Sequence, residues 1–461
     1  MRRFLVLLTI LMVCGLLPAY AQLFGEGIGD PLLPLPGNPD YDVQHYDLDL
    51  TVTSVEVGSI EAVMTIALTP TQDVAQFFLD FEMLPIASIT VDDQPAIFHH
   101  LAGELEIVPQ QPLRTGQPVI VIIRYAGTPE PIANPILGNS GWQTFSGGIF
   151  VAGEPLSATS FIPINDHPRD KATYDIAITV PKPYIAVSNG VLVSTEDHDD
   201  TTTYTWQMAQ PMASYLLTLS VGRYSLYEQV GPDDLPISNY FPAPLADALS
   251  RIFENQPDMI AFFSERFGPY PFDSFGSLVV ADPQFHYALE TQSRSTFSTN
   301  ILQSGRELVV AHELAHQWFG DSVSVNSWRD IWLNEGFARY AEVLWLEHTQ
   351  GRAAMLGYLR RLYVTASSSN VLPGNPTVNT LFSGAVYDRG ALTLHALRLE
   401  VGDETFFEIL RTYAERFRYG NATTNDFVAL AQEVSGMPLD ALFYVWLFGD
   451  TVPPPVAIGL G

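Results

Sequence analysis

Residues 310–319 read VAHELAHQWF, and this stretch contains the pattern His-Glu-x-x-His inside a segment of helical periodicity. His312 and His316 are four residues apart, so both imidazoles leave the same face of a helix. That spacing supplies a tetrahedral zinc ion with two nitrogen ligands. Glu313 is rotated away from that face and can reach a water molecule rather than the metal. The stretch therefore predicts a metal-binding helix; the alternative is a pair of hydrogen-bonded histidines on an ordinary amphipathic helix.

A third ligand is expected from a second helical stretch, WLNEGFA at residues 332–338. Eighteen residues separate His316 from Glu335, which is enough for a turn and a returning helix. Two histidines and one carboxylate leave one position of a tetrahedral site open, which is typical of catalytic rather than structural zinc. The single cysteine, Cys14, lies near the N-terminus and is not expected to close the site. The sequence predicts one Zn²⁺ per chain, with a solvated helix carboxylate as the alternative for Glu335.

The period of the apolar residues changes once along the chain. Between residues 41 and 230 apolar and polar residues alternate and turn residues recur at short intervals, which predicts an all-β domain. From 231 to 461 the spacing is helical, and 245–267 is predicted to be one helix. We therefore predict a multi-domain α+β protein, in which the β domain precedes a mostly helical catalytic domain. The β-branched run at 119–123 is predicted to be a fully buried strand.

The first 21 residues have the organisation of a secretory signal peptide. Two arginines precede an apolar run at 4–17, and a small-x-small cleavage site ends at Ala21. Residues 22–40 are rich in Gly and Pro and are predicted to form an extended arm. We expect a secreted or extracytoplasmic protein without stable membrane insertion after cleavage. A lipoprotein anchor at Cys14 is disfavoured, because the residue before it is not small.

The composition excludes several classes of protein. Of 461 residues, 47% are hydrophobic and only 16% are charged, which is too apolar for a disordered chain. Lys and Arg number 22 against 51 Asp and Glu, which gives a formal net charge of −29. Such an acidic surface disfavours nucleic acid and anionic lipid, so no nucleic-acid partner is expected.

The sequence resembles the aminopeptidase N family of zinc metallopeptidases, which are gluzincins related to leukotriene hydrolase. The resemblance rests on His-Glu-x-x-His, the eighteen-residue interval and Asn-Glu-Gly-Phe-Ala. The similarity extends over about residues 41 to 450. It includes YDVQHYDLDL at 41–50, GEP at 153–155, NDHPRDKA at 165–172, ALET at 288–291 and YDRG at 387–390. The resemblance implies a thermolysin-like catalytic domain and a zinc aminopeptidase that hydrolyses the N-terminal peptide bond of peptides.

Roles for individual residues follow from this chemistry and from the resemblance. Glu313 would act as general base, taking a proton from the attacking water and passing it to the leaving amine. By resemblance, Tyr387 would donate a hydrogen bond to the tetrahedral oxyanion. Glu290, and by position Glu154, would bind the free α-ammonium group of the substrate, beside a backbone-binding segment at Ala288. The alternatives are a core tyrosine at 387 and ordinary surface carboxylates at 154 and 290.

The chain departs from the family pattern in several places. Tyr287 stands where the exopeptidase motif has Gly, Thr291 stands where it usually has Asn, and Arg389 replaces a Lys. Val-Ala at 151–152 replaces a common Thr-Gln pair. The large C-terminal helical domain of many family members has no counterpart in this sequence, so a more open cleft is expected.

Two residues near the motifs and two other functions complete the predictions. Glu342 lies on the same helix face as Glu335 and is expected either to orient a ligand histidine or to face solvent. His167 is expected to be structural. A thermolysin-like zinc endopeptidase would share the metal site but lack an amine anchor, and a catalytically silent metal-binding scaffold would lack turnover.

Overall fold

The structure of the protein is a computed structural model that describes residues 27–101, 103–303 and 306–460. The predicted signal peptide at 1–21, with Cys14 and Ala21, lies outside the described residues, as do the first residues of the predicted arm. Within the described ranges, no helix is both long enough and apolar enough to cross a membrane.

An eight-stranded sheet forms the centre of the N-terminal part. Its order is Val191–Asp197, Thr201–Met212, Ala172–Pro181, Tyr41–Ser54, Ser59–Pro70, Val119–Gly127, Ile86–Val91 and Gln94–Pro95. The strand Tyr41–Ser54 pairs antiparallel with the next strand along the chain and parallel with Ala172–Pro181. Its burial alternates along most of its length, because every second side chain faces the core.

The predicted full burial of residues 119–123 is wrong. Val119, Val121 and Ile123 are buried, but Ile120 between them is 42% exposed. The strand is antiparallel to both of its neighbours, and one of its faces is partly open to solvent. A β-branched side chain suits either face of a strand, so the run of such residues concealed the alternation.

Two smaller sheets also belong to the N-terminal part. One contains Ile185–Ser188, Leu219–Gly222, Gly148–Ala152, Gly138–Phe145 and Ile132–Asn134, and the other contains Phe77–Asp80, Glu104–Val108 and Ile97–Leu101. The predicted all-β character of this part is therefore confirmed, apart from short 3₁₀ turns.

The predicted domain boundary at residue 230 cuts through a hairpin. Tyr224–Val230 pairs with Pro236–Pro242, and that sheet continues through Ser277–Val280 and Ser295–Ser298 to the edge strand Ala288–Leu289. The first strand of the hairpin thus shares a sheet with the second part of the chain. Alternation and turn residues look alike in either sheet, so the pattern could not reveal the change.

Helices dominate the rest of the chain. The α-helices in the described ranges are Ala246–Ser250, Gln256–Phe267, Arg306–Ala315, Trp332–Gln350, Arg352–Ser367, Gly384–Val401, Asp403–Arg416, Thr424–Ser435 and Asp440–Phe448. The 3₁₀ helices are Ala158–Ser160, Ser214–Leu216, Pro232–Asp234, Ala243–Leu245, Ile301–Gln303, Trp328–Asp330, Val378–Thr380 and Pro455–Ile458. Two-residue strands, Ser324–Val325 and Asn421–Ala422, pair between the helices.

The predicted single helix at 245–267 is two helices. The first ends at Ser250, and the second begins at Gln256. Pro257 lies in the first turn of the second helix, where its missing N–H costs no intrahelical hydrogen bond. The apolar spacing continues across the break, which is why periodicity alone joined the two.

Buried polar contacts join the two parts of the chain. Asp30 of the arm accepts a hydrogen bond from the backbone N–H of Trp328 at 2.9 Å, and its carboxylate lies 3.4 Å from Nε2 of His167. Lys171 Nζ donates to the backbone carbonyl of Asp321 at 2.8 Å. His167 is therefore structural, as predicted. The contacts hold the β domain against the helices, and residues from both parts line the same cleft.

Candidate active site

The three predicted metal ligands converge at the meeting of two helices. His312 lies in the motif helix (Arg306–Ala315), and the N–H of His316 continues its last turn by donating to the carbonyl of His312 at 3.2 Å. Glu335 lies in the first turn of the ligand helix (Trp332–Gln350). Its Oε2 is 3.3 Å from Nε2 of His312 and 3.5 Å from Nε2 of His316. All three side chains are buried.

These separations fit a tetrahedral zinc ion. Zinc bonds of about 2.0–2.1 Å place neighbouring ligand atoms of a tetrahedron about 3.3–3.4 Å apart. The two nitrogen-to-oxygen distances here are 3.3 and 3.5 Å. Two imidazole nitrogens and one carboxylate oxygen are also the donor set of a catalytic zinc site, with one position left for water or substrate.

Each ligand histidine is oriented by its other ring nitrogen. Nδ1 of His316 lies 3.0 Å from the carbonyl oxygen of Phe319, which can only accept, so Nδ1 carries the proton and Nε2 is free to bind a metal. Nδ1 of His312 lies 2.8 Å from Oε1 of Glu342, and that oxygen also accepts from Arg339 at 2.7 Å. Of the two expectations for Glu342, the one in which it orients a ligand histidine is confirmed.

Glu313 is buried beside the metal ligands. Burial raises the pKa of its carboxyl to about 8, although the neighbouring His312 and His316 act in the opposite direction. A ligand atom of Glu313 lies within 4.8 Å of ligand atoms of Glu290 and His316. A carboxyl group with a pKa near neutrality can accept a proton and return it, which is what a general base and acid must do.

Two more carboxylates face the same point. Glu154 is 3% exposed and Glu290 is 2% exposed, and Oε1 of each has no hydrogen-bond partner among the described residues. Oxygens of Glu154, Glu290 and Glu335 lie within 4.8 Å of one another. Burial raises the pKa of both Glu154 and Glu290, and the negative charge on Glu335 adds to this. Carboxylates this close together favour a bound cation or a proton.

The backbone at Gly153 brings Glu154 to the cleft. Gly153 has a φ of +151°, and a Cβ at this position would lie 2.4 Å from Cβ of Ser140. Only glycine allows this approach at the end of the strand Gly148–Ala152. The backbone carbonyl of Glu154 then accepts a hydrogen bond from Nδ2 of Asn134 at 2.9 Å.

Glu290 is placed by an edge strand and by Gln317. Ala288–Leu289 lies at the end of the five-stranded sheet, as expected for a backbone-binding segment, and Ala288 lines the cleft. Gln317 Nε2 donates to the carbonyl of Glu290 at 3.0 Å, and its Oε1 accepts from the N–H of Ser293 at 2.7 Å. Sequence reasoning did not find Gln317. Its signal was an amide directly after the second ligand histidine, where a buried amide must find partners.

The ring of Tyr387 packs against His312, one of the predicted metal ligands. The tyrosine helix (Gly384–Val401) has Tyr387 in its first turn. Its ring stacks on His312 with 5.9 Å between centroids and 13° between planes, and the guanidinium of Arg339 lies 5.5 Å from its centroid. Burial raises the pKa of Tyr387 well above its usual value, so the hydroxyl keeps its proton.

A glycine contact lets the ligand helix and the tyrosine helix approach each other. A Cβ on Gly336 would lie 2.9 Å from Cα of Gly390. The backbones therefore cross at a distance that a larger side chain would prevent. Glu335 and Tyr387, one from each helix, both line the cleft.

The departures from the family pattern fall in different places. Arg389 faces away from the cleft and donates to the carbonyls of Val445 and Gly449 at 3.1 and 2.6 Å, which ties the tyrosine helix to Asp440–Phe448. The Thr291 hydroxyl forms hydrogen bonds with residues of the same short segment of the chain. Tyr287, in contrast, lines the cleft.

The cleft contains about 200 Å³ of free space. Its polar lining consists of the residues described above, together with His286. The apolar side chains of the lining are Leu137, Ala288, Leu289, Ile301, Val309 and Phe382. A concave site with a few converging polar groups and an apolar remainder is typical of small-molecule and peptide-end binding.

Comparison with known proteins identifies two matching sequence families. The Peptidase M1 N-terminal domain matches residues 42–216, and the Peptidase family M1 domain matches residues 251–446. Glutamyl aminopeptidase of Homo sapiens is 30% identical over 320 residues, which cover 64% of this chain and 33% of that protein. Aminopeptidase N of Streptomyces lividans is 25% identical over 443 residues, 88% of this chain and 50% of that protein. The chain thus spans a third to a half of the length of these curated relatives.

A solved structure is similar over almost the whole chain. The crystal structure of an M1 zinc metallopeptidase from Deinococcus radiodurans is 32% identical, with a TM-score of 0.86. The match covers 93% of this chain and 99% of that one. Another structure of an M1 zinc metallopeptidase from the same organism, in complex with a Tyr-Ser-Ala substrate, is 31% identical with the same TM-score and coverage.

Proposed function

The chain belongs to the M1 family of zinc metallopeptidases, and from this we propose that it is a zinc-dependent aminopeptidase acting on peptides. The observation that carries the proposal is the pair of buried carboxylates, Glu154 and Glu290, each with an oxygen unpartnered among the described residues. A free α-ammonium group would pair with both. An internal stretch of peptide would present a neutral amide there and leave the charges uncompensated, which disfavours an endopeptidase.

Hydrolysis would combine the metal with Glu313. His312, His316 and Glu335 would hold zinc, which would supply Lewis-acid chemistry for the scissile carbonyl and the attacking water. Glu313 takes a proton from the attacking water. It passes this proton to the leaving nitrogen as the C–N bond breaks.

The remaining residues position the substrate and stabilise its charge. Tyr387 keeps its proton and donates a hydrogen bond to the oxyanion that develops on the carbonyl oxygen. Glu154 and Glu290 hold the amino end, so that the first peptide bond, and not a later one, lies at the metal ligands. The edge strand Ala288–Leu289 offers backbone groups to the extended peptide.

The test compares leucine amide with N-acetyl-leucine amide, in the wild type and in Glu290→Gln. The wild type should cleave only the substrate with a free amine. Glu290→Gln should lower kcat/KM for that substrate by about 1.5–3 kcal/mol, or roughly tenfold to a hundredfold, the worth of a charged hydrogen bond. Glu404→Gln, which removes an exposed carboxylate from another helix, should change nothing. Equal cleavage of both substrates by the wild type would contradict the aminopeptidase.

We further propose that the helical part is thermolysin-like and that the protein is secreted. A histidine-bearing helix followed by a second helix with the carboxylate ligand supports the first proposal. The leader pattern ending at Ala21 supports the second. N-terminal sequencing of protein recovered from the medium of an expressing culture should begin at Gln22; full-length protein retained in the cells would contradict secretion.

A further inference from the structure

We propose that the cleft selects peptides whose first residue carries an apolar rather than an acidic side chain, and that Tyr287 forms the wall that limits its size. The inference rests on the proposed function, because it uses the amine position set by Glu154 and Glu290. It adds the chemical class of the first residue and a residue that determines it.

The positions of the amine and the carbonyl fix where the first side chain must go. The ammonium group lies at Glu154 and Glu290, and the carbonyl lies at the metal ligands beside Glu335. Both groups are bonded to the same Cα, so the side chain must leave toward the rest of the cleft. That remainder is apolar, with Leu137, Ile301, Val309 and Phe382 among its side chains. An apolar side chain is therefore buried favourably there.

The charges of the cleft disfavour an acidic first residue. Five carboxylates line the cleft: Glu154, Glu290, Glu313, Glu335 and Glu342. Among the described lining residues, Arg339 is the only lysine or arginine, and it already forms ion pairs within the protein. Its Nη1 lies 2.7 Å from Glu342 and its Nε lies 3.3 Å from Asp388. A substrate carboxylate would thus meet like charges without a free counter-ion in the described lining. Several relatives are named for glutamyl residues, and the charges here favour a different class.

Tyr287 is held as a rigid wall. Its ring packs edge-on against Phe285 at 4.6 Å between centroids, and Phe285 in turn packs 5.0 Å from Phe150 of the N-terminal part. Its backbone carbonyl accepts a hydrogen bond from the N–H of Ser298 at 3.1 Å. The ring is therefore fixed between the two parts of the chain.

The hydroxyl and the size of Tyr287 both bear on the cleft. The Tyr287 hydroxyl is buried and has no partner among the described residues. Burial raises the pKa of this hydroxyl, and the nearby negative charge on Glu154 raises it further. The free space of about 200 Å³ is below the roughly 300 Å³ at which small-molecule sites usually begin. In the family motif that this segment resembles, Gly at the position of Tyr287 would leave that space open.

The first experiment measures kcat/KM of the zinc-loaded wild type for the amides of Ala, Leu, Trp and Glu. Leucine amide should exceed the Glu amide by about tenfold or more, and should also exceed Trp amide. A preference for the Glu amide would overturn the proposed selectivity alone. Turnover of none of the four would instead overturn the proposed function, so the two failures are distinguishable.

The second experiment compares Tyr287→Gly with Tyr287→Phe. Removing the ring should raise the ratio of kcat/KM for Trp amide to that for Leu amide about tenfold. Tyr287→Phe keeps the ring and should keep the wild-type ratio. An unchanged ratio in Tyr287→Gly, with zinc content and melting temperature as in the wild type, would overturn the role of Tyr287. Should the glycine variant not fold, Tyr287→Ala tests the same point without adding backbone freedom.

Discussion

Glu313 is the residue on which proton transfer depends in the proposed mechanism. Glu313→Gln should keep zinc, because all three ligands remain, but should lower kcat by about a hundredfold to ten-thousandfold, since the base is lost. Elemental analysis and saturation kinetics measure the two effects separately. Glu408→Gln, an exposed change in Asp403–Arg416, is the matched control. Near-native kcat in Glu313→Gln would show that another group accepts the proton.

Tyr387 is predicted to stabilise the transition state rather than the bound substrate. Tyr387→Phe should lower kcat by an amount equivalent to about 3 kcal/mol of lost transition-state stabilisation, with little change in KM. The hydrogen bond of the tyrosine strengthens only as the oxyanion forms. Tyr363→Phe removes a hydroxyl that donates to the carbonyl of Pro453 and should leave both constants unchanged. A tyrosine that merely packs would give the two variants the same kcat.

At the level of secondary-structure elements, buried contacts hold together segments that are distant in the sequence. The motif helix carries His312 and leads to His316, and the edge strand Ala288–Leu289 leads to Glu290. Gln317 links the two, because one amide group bonds to both Glu290 and Ser293. The proposed amine site and the metal site are therefore positioned by the same buried side chain.

Replacing Gln317 should disturb the proposed amine site without removing the metal. Gln317→Ala leaves two buried backbone groups without their partner, which costs about 1–3 kcal/mol per group. We expect kcat/KM for amino-acid amides to fall at least tenfold at unchanged zinc content, mainly through KM. Gln432→Ala, which removes an acceptor for the N–H of Leu439 away from the cleft, should affect stability only. Equal kinetic losses in the two variants would contradict this link.

At the scale of the whole molecule, buried carboxyl groups of the N-terminal part make stability depend on pH. Burial raises the pKa of Asp166 to about 8, of Asp170 to about 7 and of Asp80 to about 6, from an ordinary value of 3.8. Between about pH 4 and pH 8 the folded state therefore binds protons that the unfolded chain has released. Stability should fall as the pH rises through this window.

Calorimetry from pH 5 to pH 8 measures this dependence through the melting temperature. The wild type should melt at a lower temperature as the pH rises. Asp166→Asn replaces the protonated carboxyl with a neutral group of similar shape, so its melting temperature should fall less. Asp49→Asn, an exposed change in the same part, should follow the wild type. A melting temperature of the wild type that rises over this range would contradict the assignment.

Local sequence patterns alone were enough to predict the metal ligands and the order of the two parts. His312 and His316 are related by one turn of helix, and the alternation that marks a strand is equally local, so neither needs tertiary information. Glu335 could be identified because it belongs to a compact motif at a short interval. The same local reasoning failed where the apolar period continued across a break, as before Pro257, or where one sheet replaced another after Gly222.

Which polar groups meet around the predicted metal site depends instead on tertiary packing. Glu154 and Glu290 are far apart in the sequence, and their convergence depends on Gly153, on the edge strand and on Gln317. The crossing of Gly336 and Gly390 likewise places Tyr387 beside the ligands. Such contacts depend on how whole elements pack, and the residues that permit them carry no periodic signal, because a glycine or a buried amide is informative only once its neighbours are known.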